Sequence, residues 1–171
     1  MQIAPLVVVM GISGVGKSVV GHELAERFDV PYADGDDFHP QANIDKMASG
    51  TPLTDDDRWP WLDTIGEWLA AHDESGGVVS CSALRRAYRD VLVGAAPRTV
   101  FLHLTGDIEL IRKRIAGRQH FMPASLLRSQ QDTLEPLEAD ERGTEHDIAG
   151  TPAEIVDDFV SHHGLAGGAL A

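Results

Sequence analysis

The densest chemistry in this chain lies in Gly11-Ile12-Ser13-Gly14-Val15-Gly16-Lys17-Ser18. Glycines at this spacing let the backbone turn its N–H groups inward at the start of a helix, which makes a nest for an anion. Lys17 adds a positive charge, and the Ser18 hydroxyl is placed to ligand a magnesium ion that bridges two phosphates. The chemistry is polyphosphate binding, and the surface for it comprises Gly11, Ser13, Gly14, Val15, Gly16, Lys17, Ser18 and Val19. The ordinary alternative, a glycine-rich turn that binds nothing, fits poorly with the complete G-x-x-x-x-G-K-S spacing between an apolar run and a helical stripe.

Two other clusters can serve a transferred phosphoryl group. Asp34-Gly35-Asp36-Asp37 is acidic; Asp36 can orient an acceptor hydroxyl, and Asp34 can assist the metal through water. A solvated acidic loop is the competing explanation. Arg114 and Arg118 lie four apart, share a helix face and lead into Gln119-His120-Phe121. They suit a small mobile lid around residues 114–125 that brings guanidinium groups over the phosphates and shuts out water. Surface arginines favoured by a helix C-terminus would look the same.

The positioning elements follow from periodicity. Leu6 to Met10 is an unalternating, β-branched-rich run, as expected of a central strand buried on both faces of a parallel sheet. Val20, Leu24 and Phe28 stripe a helix over 17–28. Val30 to Ala33 reads as a second strand that delivers the acidic cluster to a carboxyl edge, where ligands of open α/β sheets bind. A helix over 41–49 closes at Gly50. Residues 51–58 read as a loop whose aspartates cap the next helix, with Pro60 in its first turn and Trp61, Ile65, Trp68 and Leu69 on one face. Strands at 78–81 and 99–104 alternate with helices at 83–93 and 107–117. A helix over 123–134, an edge strand at 145–149, a Thr151-capped helix through Val160 and a frayed end from 164 complete the chain. The alternation predicts one α/β domain over residues 1–171, a three-layer αβα arrangement around a central parallel sheet.

A length of 171 residues suits a single core, and the net charge of −13 argues against a nucleic-acid or anionic-membrane surface. Cys81 is the only cysteine, which excludes an internal disulfide and fits a reducing cytoplasm. No segment reads as a targeting sequence or a membrane span.

A phosphate loop also occurs in GTPases, motors and regulatory switches. The chain has no N-K-x-D stretch for guanine and little room for a motor's added elements. A small-molecule kinase remains, with a slowly hydrolysing regulatory module as the reading from another class.

The spaced set Asp34-Gly35-Asp36, His39-Pro40, Asn43, Lys46-Met47, Gly50, Pro52-Leu53, Asp55, Asp57-Arg58 and Trp61-Leu62 resembles gluconokinases of the small phosphate-loop type. The likeness continues in Cys81 to Arg86, Tyr88 to Asp90, His120-Phe121-Met122, Ser129-Gln130 and Thr133 to Pro136. It implies ATP-dependent phosphorylation of D-gluconate at its 6-hydroxyl, with magnesium, in a shikimate-kinase-like fold and a homodimer. Shikimate or a nucleoside monophosphate is the alternative acceptor on the same fold. A linear polyol with one carboxylate needs a cation at one end, and Arg58, then Lys46 and Arg85, are the candidates. His39, Asn43 and Ser82 suit the hydroxyls. Asp36 suits the reacting hydroxyl, and Asp34 a metal or substrate contact. The turn before His120 is one residue shorter than in the family, which leaves both Arg114 and Arg118 as candidates for the phosphates. His120 is either a substrate contact or a lid-packing residue.

Overall fold

The computed structural model describes residues 4–116 and 124–164. Its centre is Leu6–Met10 (β1), a strand with every position buried. Gly77–Ser80 (β3) and Val100–Thr105 (β4) flank it, and Tyr32–Asp34 (β2) and Gly143–Asp147 (β5) form the edges. All four pairings are parallel, in the order β2-β3-β1-β4-β5. The helices are Lys17–Phe28 (α1), Gln41–Ala48 (α2), Asp55–Ala71 (α3), Arg86–Ala95 (α4), Ile108–Ala116 (α5), Ala124–Thr133 (α6) and Pro152–His162 (α7). Helix α1 packs on α7 and α3 packs on α4, with the sheet between the two pairs. Val20, Leu24 and Phe28 are buried on α1, as their spacing requires. No helix among the described residues is long and apolar enough to cross a membrane.

Several boundaries move by a residue or two from the sequence expectations, β2 among them, and three shifts bear on the site's supports. Helix α3 starts at Asp55, inside the expected loop. Thr54 Oγ1 accepts from the Asp57 N–H at 3.2 Å, and the Asp57 carboxylate accepts from the Thr54 N–H at 2.9 Å. This reciprocal cap extends the helix backwards, so Pro60 falls in its interior and not in its first turn. Helix α4 starts at Arg86 and not at Ala83, because Ala83 adopts a left-handed conformation (φ 46°) that turns its carbonyl onto Arg89 Nη1 at 2.8 Å. Strand β5 comes two residues earlier than expected, paired from Phe101↔Gly143 to Thr105↔Asp147. Its polar side chains suit an edge. The lid turn with Arg118 and His120, and the tail from 165, lie outside the described residues.

A buried arginine ties the loop after β3 to the segment that leads into β5. Arg89 has no exposed surface and binds both oxygens of Glu141, at 2.6 and 3.0 Å, as well as the carbonyls of Ala83 and Pro136. The Glu135 N–H donates to the Leu84 carbonyl at 2.6 Å, and the Glu135 carboxylate accepts from the Arg86 N–H at the start of α4 at 2.8 Å. Residues 135–141 thus lace the loop after β3 in place. Truncating Arg89 to alanine leaves Glu141 without its partner and should cost about 3–5 kcal/mol of stability, readable as a lowered denaturation midpoint.

His103 on β4 is 1 % exposed, and neither ring nitrogen has a hydrogen-bond partner among the described residues. Burial, then the Arg89 charge, pushes its pKa down to about 4. The unfolded chain therefore binds more protons between about pH 6.5 and 4, and stability should fall as pH drops through that window. His103→Leu should make the decline of melting temperature with acid shallower while leaving the pH 7 midpoint equal or higher; an unchanged slope would show that His103 does not titrate there.

Candidate active site

The phosphate loop connects β1 to α1 at the carboxyl edge of the sheet. Gly16 has φ 96° at the helix start, a left-handed conformation that costs glycine nothing and any side chain strain. Lys17 Nζ folds back to donate to the Gly11 and Ile12 carbonyls, each at 3.0 Å. Burial lowers the Lys17 pKa, and the Asp36 and Asp34 charges oppose that shift. A phosphate at the loop would favour the charged ammonium in the same way.

The acidic cluster reaches the loop through a close backbone approach. A Cβ on Gly35 would collide with the Ser80 carbonyl, so only glycine lets the chain leave β2 tightly against the end of β3. Asp34 then caps a single 3-10 turn over Gly35–Phe38, its Oδ1 accepting from the Asp36 N–H at 3.0 Å. Tyr32 Oη lies 2.8 Å from Ser80 Oγ, which donates to Asp34 Oδ1 at 3.4 Å. Tyr32 and Ser80 thus hold the Asp34 carboxylate at the end of β2. Asp36 lines the pocket with its side chain 80 % exposed. The surrounding walls push its pKa upward and Lys17 pulls it down. Because that carboxylate still meets solvent, the wall effect is modest and Asp36 is an anion at neutral pH.

One pocket collects Ser13, Lys17, Asp36, His39, Arg58 and Ser82 from the sequence candidates. Its remaining walls are Met47, Pro52, Leu53, Trp61, Leu84, Ser129 and Gln130. Trp61 is a core residue, as its helical spacing predicts, and also supports the site. Its indole N–H donates to the Gly35 carbonyl at 2.7 Å, and its ring stacks under His39 at 4.1 Å.

Asn43 sets the state of His39. Its Nδ2 donates to the Asp57 carbonyl at 2.9 Å and faces His39 Nδ1 at 3.1 Å. An amide nitrogen can only donate, so Nδ1 is the acceptor and the imidazole proton sits on Nε2, 4.0 Å from the Asp36 carboxylate. Burial, then Arg58, lowers the His39 pKa to about 4. His39 therefore offers a neutral N–H donor. Asn43 does not line the pocket; it positions the residue that does.

The three cationic candidates have different surroundings. Arg58 is 12 % exposed; its Nη1 donates to Tyr88 Oη at 2.9 Å, and its guanidinium lies over the Tyr88 ring at 5.2 Å. The Tyr88 hydroxyl in turn donates to Asp55, which also faces Arg58 at 3.8 Å and Arg85 at 3.7 Å. Arg85 is outside the pocket lining, and Lys46 is turned to Asp57 at 2.7 Å, where it joins α2 to the α3 cap. Arg58 is the cation the fold presents. Tyr88 and Asp55, which orient it, belong to the resembling motifs, yet nothing in their spacing marks that role.

A second cleft lies on the other side of the loop. Val15, Val19, Val20, Ile148, Pro152 and Ile155 give it apolar walls, and Lys113 and Arg114 border it. Val19 is half exposed into it. Arg114 Nη2 donates to the Ile148 carbonyl at 2.9 Å, which holds the guanidinium at this cleft and away from the acceptor pocket. Cys81 is buried, with its thiol pKa raised to about 12 by burial, and is chemically inert.

Residues 13–145 match the shikimate kinase family. The chain is 42% identical over 172 residues to a probable gluconokinase of Xenopus tropicalis, covering 90% of each. It is 44% identical over 151 residues to the thermosensitive gluconokinase of Escherichia coli K12, covering 83% of this chain and 80% of that one. A gluconokinase structure from Sinorhizobium meliloti superposes with a TM-score of 0.85 at 47% identity, covering 94% of this chain and 92% of that one. With likeness of this depth over nearly the whole chain, and with a phosphate loop, an acidic turn and an arginine around one pocket, the chain belongs to the gluconokinases, ATP-dependent kinases built on the shikimate kinase fold.

Proposed function

We propose that the protein transfers the γ-phosphoryl group of ATP to the 6-hydroxyl of D-gluconate. The observation that carries this reading is the single pocket in which Lys17 and Asp36 lie beside the phosphate loop and Arg58 stands on the α3 wall. That arrangement suits a polyol with a reacting hydroxyl and a carboxylate. Gluconokinases at 42% and 44% identity do not favour shikimate, a nucleotide acceptor or a regulatory switch.

ATP would place its phosphates on the loop N–H groups and its base in the apolar cleft beside Val19 and Pro152. Arg114 borders that cleft, and this placement favours a base-side role for it. Ser18 and Asp34 would supply the oxygen donors for magnesium, which prefers a few protein oxygens together with substrate phosphate and water. When bound, magnesium would neutralise charge on the phosphates.

The chain's own groups do the rest. Asp36 accepts the hydrogen bond of the reacting hydroxyl and aims its oxygen in line with the phosphoryl group. A loose transition state asks little proton abstraction of it, so position is its main contribution. His39 Nε2–H donates to a neighbouring hydroxyl, Ser82 serves the chain of hydroxyls, and the Arg58 fork receives the carboxylate. Lys17 moves from the loop carbonyls to the transferring phosphoryl oxygens. The family likeness also supports a homodimer working in the cytoplasm.

The first test is magnesium-dependent ADP formation with gluconate beside shikimate, other aldonates and nucleoside monophosphates, followed by identification of the product. Preference for another acceptor would overturn the substrate assignment. Lys17→Ala should lower kcat on the order of 100- to 1000-fold, as expected for losing one donor to the developing charge. Arg58→Ala should raise the gluconate KM roughly 10- to 100-fold with the ATP KM little changed; an unaltered gluconate KM would place the carboxylate elsewhere. Activity should fall on the acid side as Asp36 protonates, at a pH above the ordinary aspartate range because its pKa is raised. Asp36→Asn should lower kcat about 100-fold and remove that limb from the pH profile.

A further inference from the structure

Helix α6 reaches back to the phosphate loop through one side chain. The Ser13 N–H donates to the side-chain oxygen of Gln130 at 2.7 Å, a bond between residues 117 positions apart. A backbone N–H can only donate, so the atom facing Ser13 is Oε1 and the amide orientation follows. The Nε2 group, with two donors, is then held on the far side of a planar amide. Gln130 lines the acceptor pocket with Lys17, Asp36 and Arg58, and Nε2 makes no hydrogen bond with a described residue.

The other pocket groups leave a role for such a donor. Asp36 as an anion can only accept, and a hydroxyl that gives it a proton still has lone pairs, as does each hydroxyl next to it. His39 supplies one neutral donor, Ser82 a single hydroxyl, and Arg58 is given to the carboxylate end. A linear polyol with a hydroxyl on successive carbons needs more than one neutral donor near its reacting end if its register is to be fixed.

We propose that Gln130 is a substrate-specificity residue: held by the loop through Oε1, it donates from Nε2 to an acceptor hydroxyl beside the one phosphorylated. This deepens the kinase reading of the same site and rests on it. The physical consequence is a shared register. The group that measures the acceptor's position is bonded to the loop that holds the phosphates, so the two reactants are placed relative to each other and not to separate parts of the fold.

A substrate–enzyme cycle tests it. The full-length protein and its Gln130→Met variant, which keeps the length without the amide, are assayed for kcat/KM with gluconate and with its mono-deoxy analogues. One analogue should cost the wild type about tenfold and the variant less than twofold, because the lost hydroxyl and the lost amide are the same bond. General damage to the loop lowers every value and cancels in this ratio. Equal losses in both proteins for every analogue would overturn the proposal. Gln130→Glu, which keeps an oxygen for Ser13 but has no donor, decides the matter by the same ratio if the methionine variant does not fold. Should the wild type turn over a different acceptor, the gluconate assignment fails, and the same cycle on that acceptor's deoxy analogues still decides the role of Gln130.

Discussion

The site depends on β1 being paired on both sides. Hydrogen bonding to β3 and β4 in register, from Leu6↔Gly77 and Val7↔Val100 onward, leaves the strand no freedom to slide. A one-residue slip would turn its side chains to the opposite faces and carry the phosphate loop out of line with its neighbours. Because all strands are parallel, their carboxyl ends meet at one edge. The loop after β1, the acidic turn after β2 and the Ser82–Leu84 loop after β3 are brought together there by a single constraint.

Around that edge, charge is kept in place by partners and not by burial alone. Arg58 is held by Tyr88 and Asp55, Lys46 by Asp57, and Arg89 by Glu141 and two carbonyls. Moving an unpaired charge into such surroundings would cost several kcal/mol, so each cation arrives with its own acceptor. The consequence for function is orientation. Arg58 cannot swing freely, and an incoming carboxylate meets a guanidinium already directed. His39, by contrast, is kept neutral, so it can donate a hydrogen bond without adding another charge.

The two sides of the loop differ in chemistry. The acceptor pocket is lined by an anion, cations and hydroxyls, whereas the opposite cleft is mainly apolar and suits a flat base. The phosphate loop lies between them, and this order matches the order of groups along a nucleotide and the acceptor it phosphorylates. Gln130 adds a direct bond across the divide on the acceptor side.

Much of this was determined by the sequence because it is local. The apolar run of β1, the stripe of α1, the loop glycines and the Thr151 cap depend on residues a few positions apart, where sterics and backbone hydrogen bonds decide. The resembling motifs likewise brought Asp36, His39, Arg58 and Ser82 into view. The α3 start is not legible because a reciprocal Thr54–Asp57 cap and an aspartate-rich loop share a composition, and the α4 start because a left-handed Ala83 depends on the distant Arg89. Tertiary structure alone decided that Asn43 serves His39, that Lys46 and Arg85 face aspartates, that Arg114 borders the apolar cleft and that Gln130 reaches Ser13. Those contacts join residues that no period relates, and their partners are chosen by which elements the sheet order places side by side.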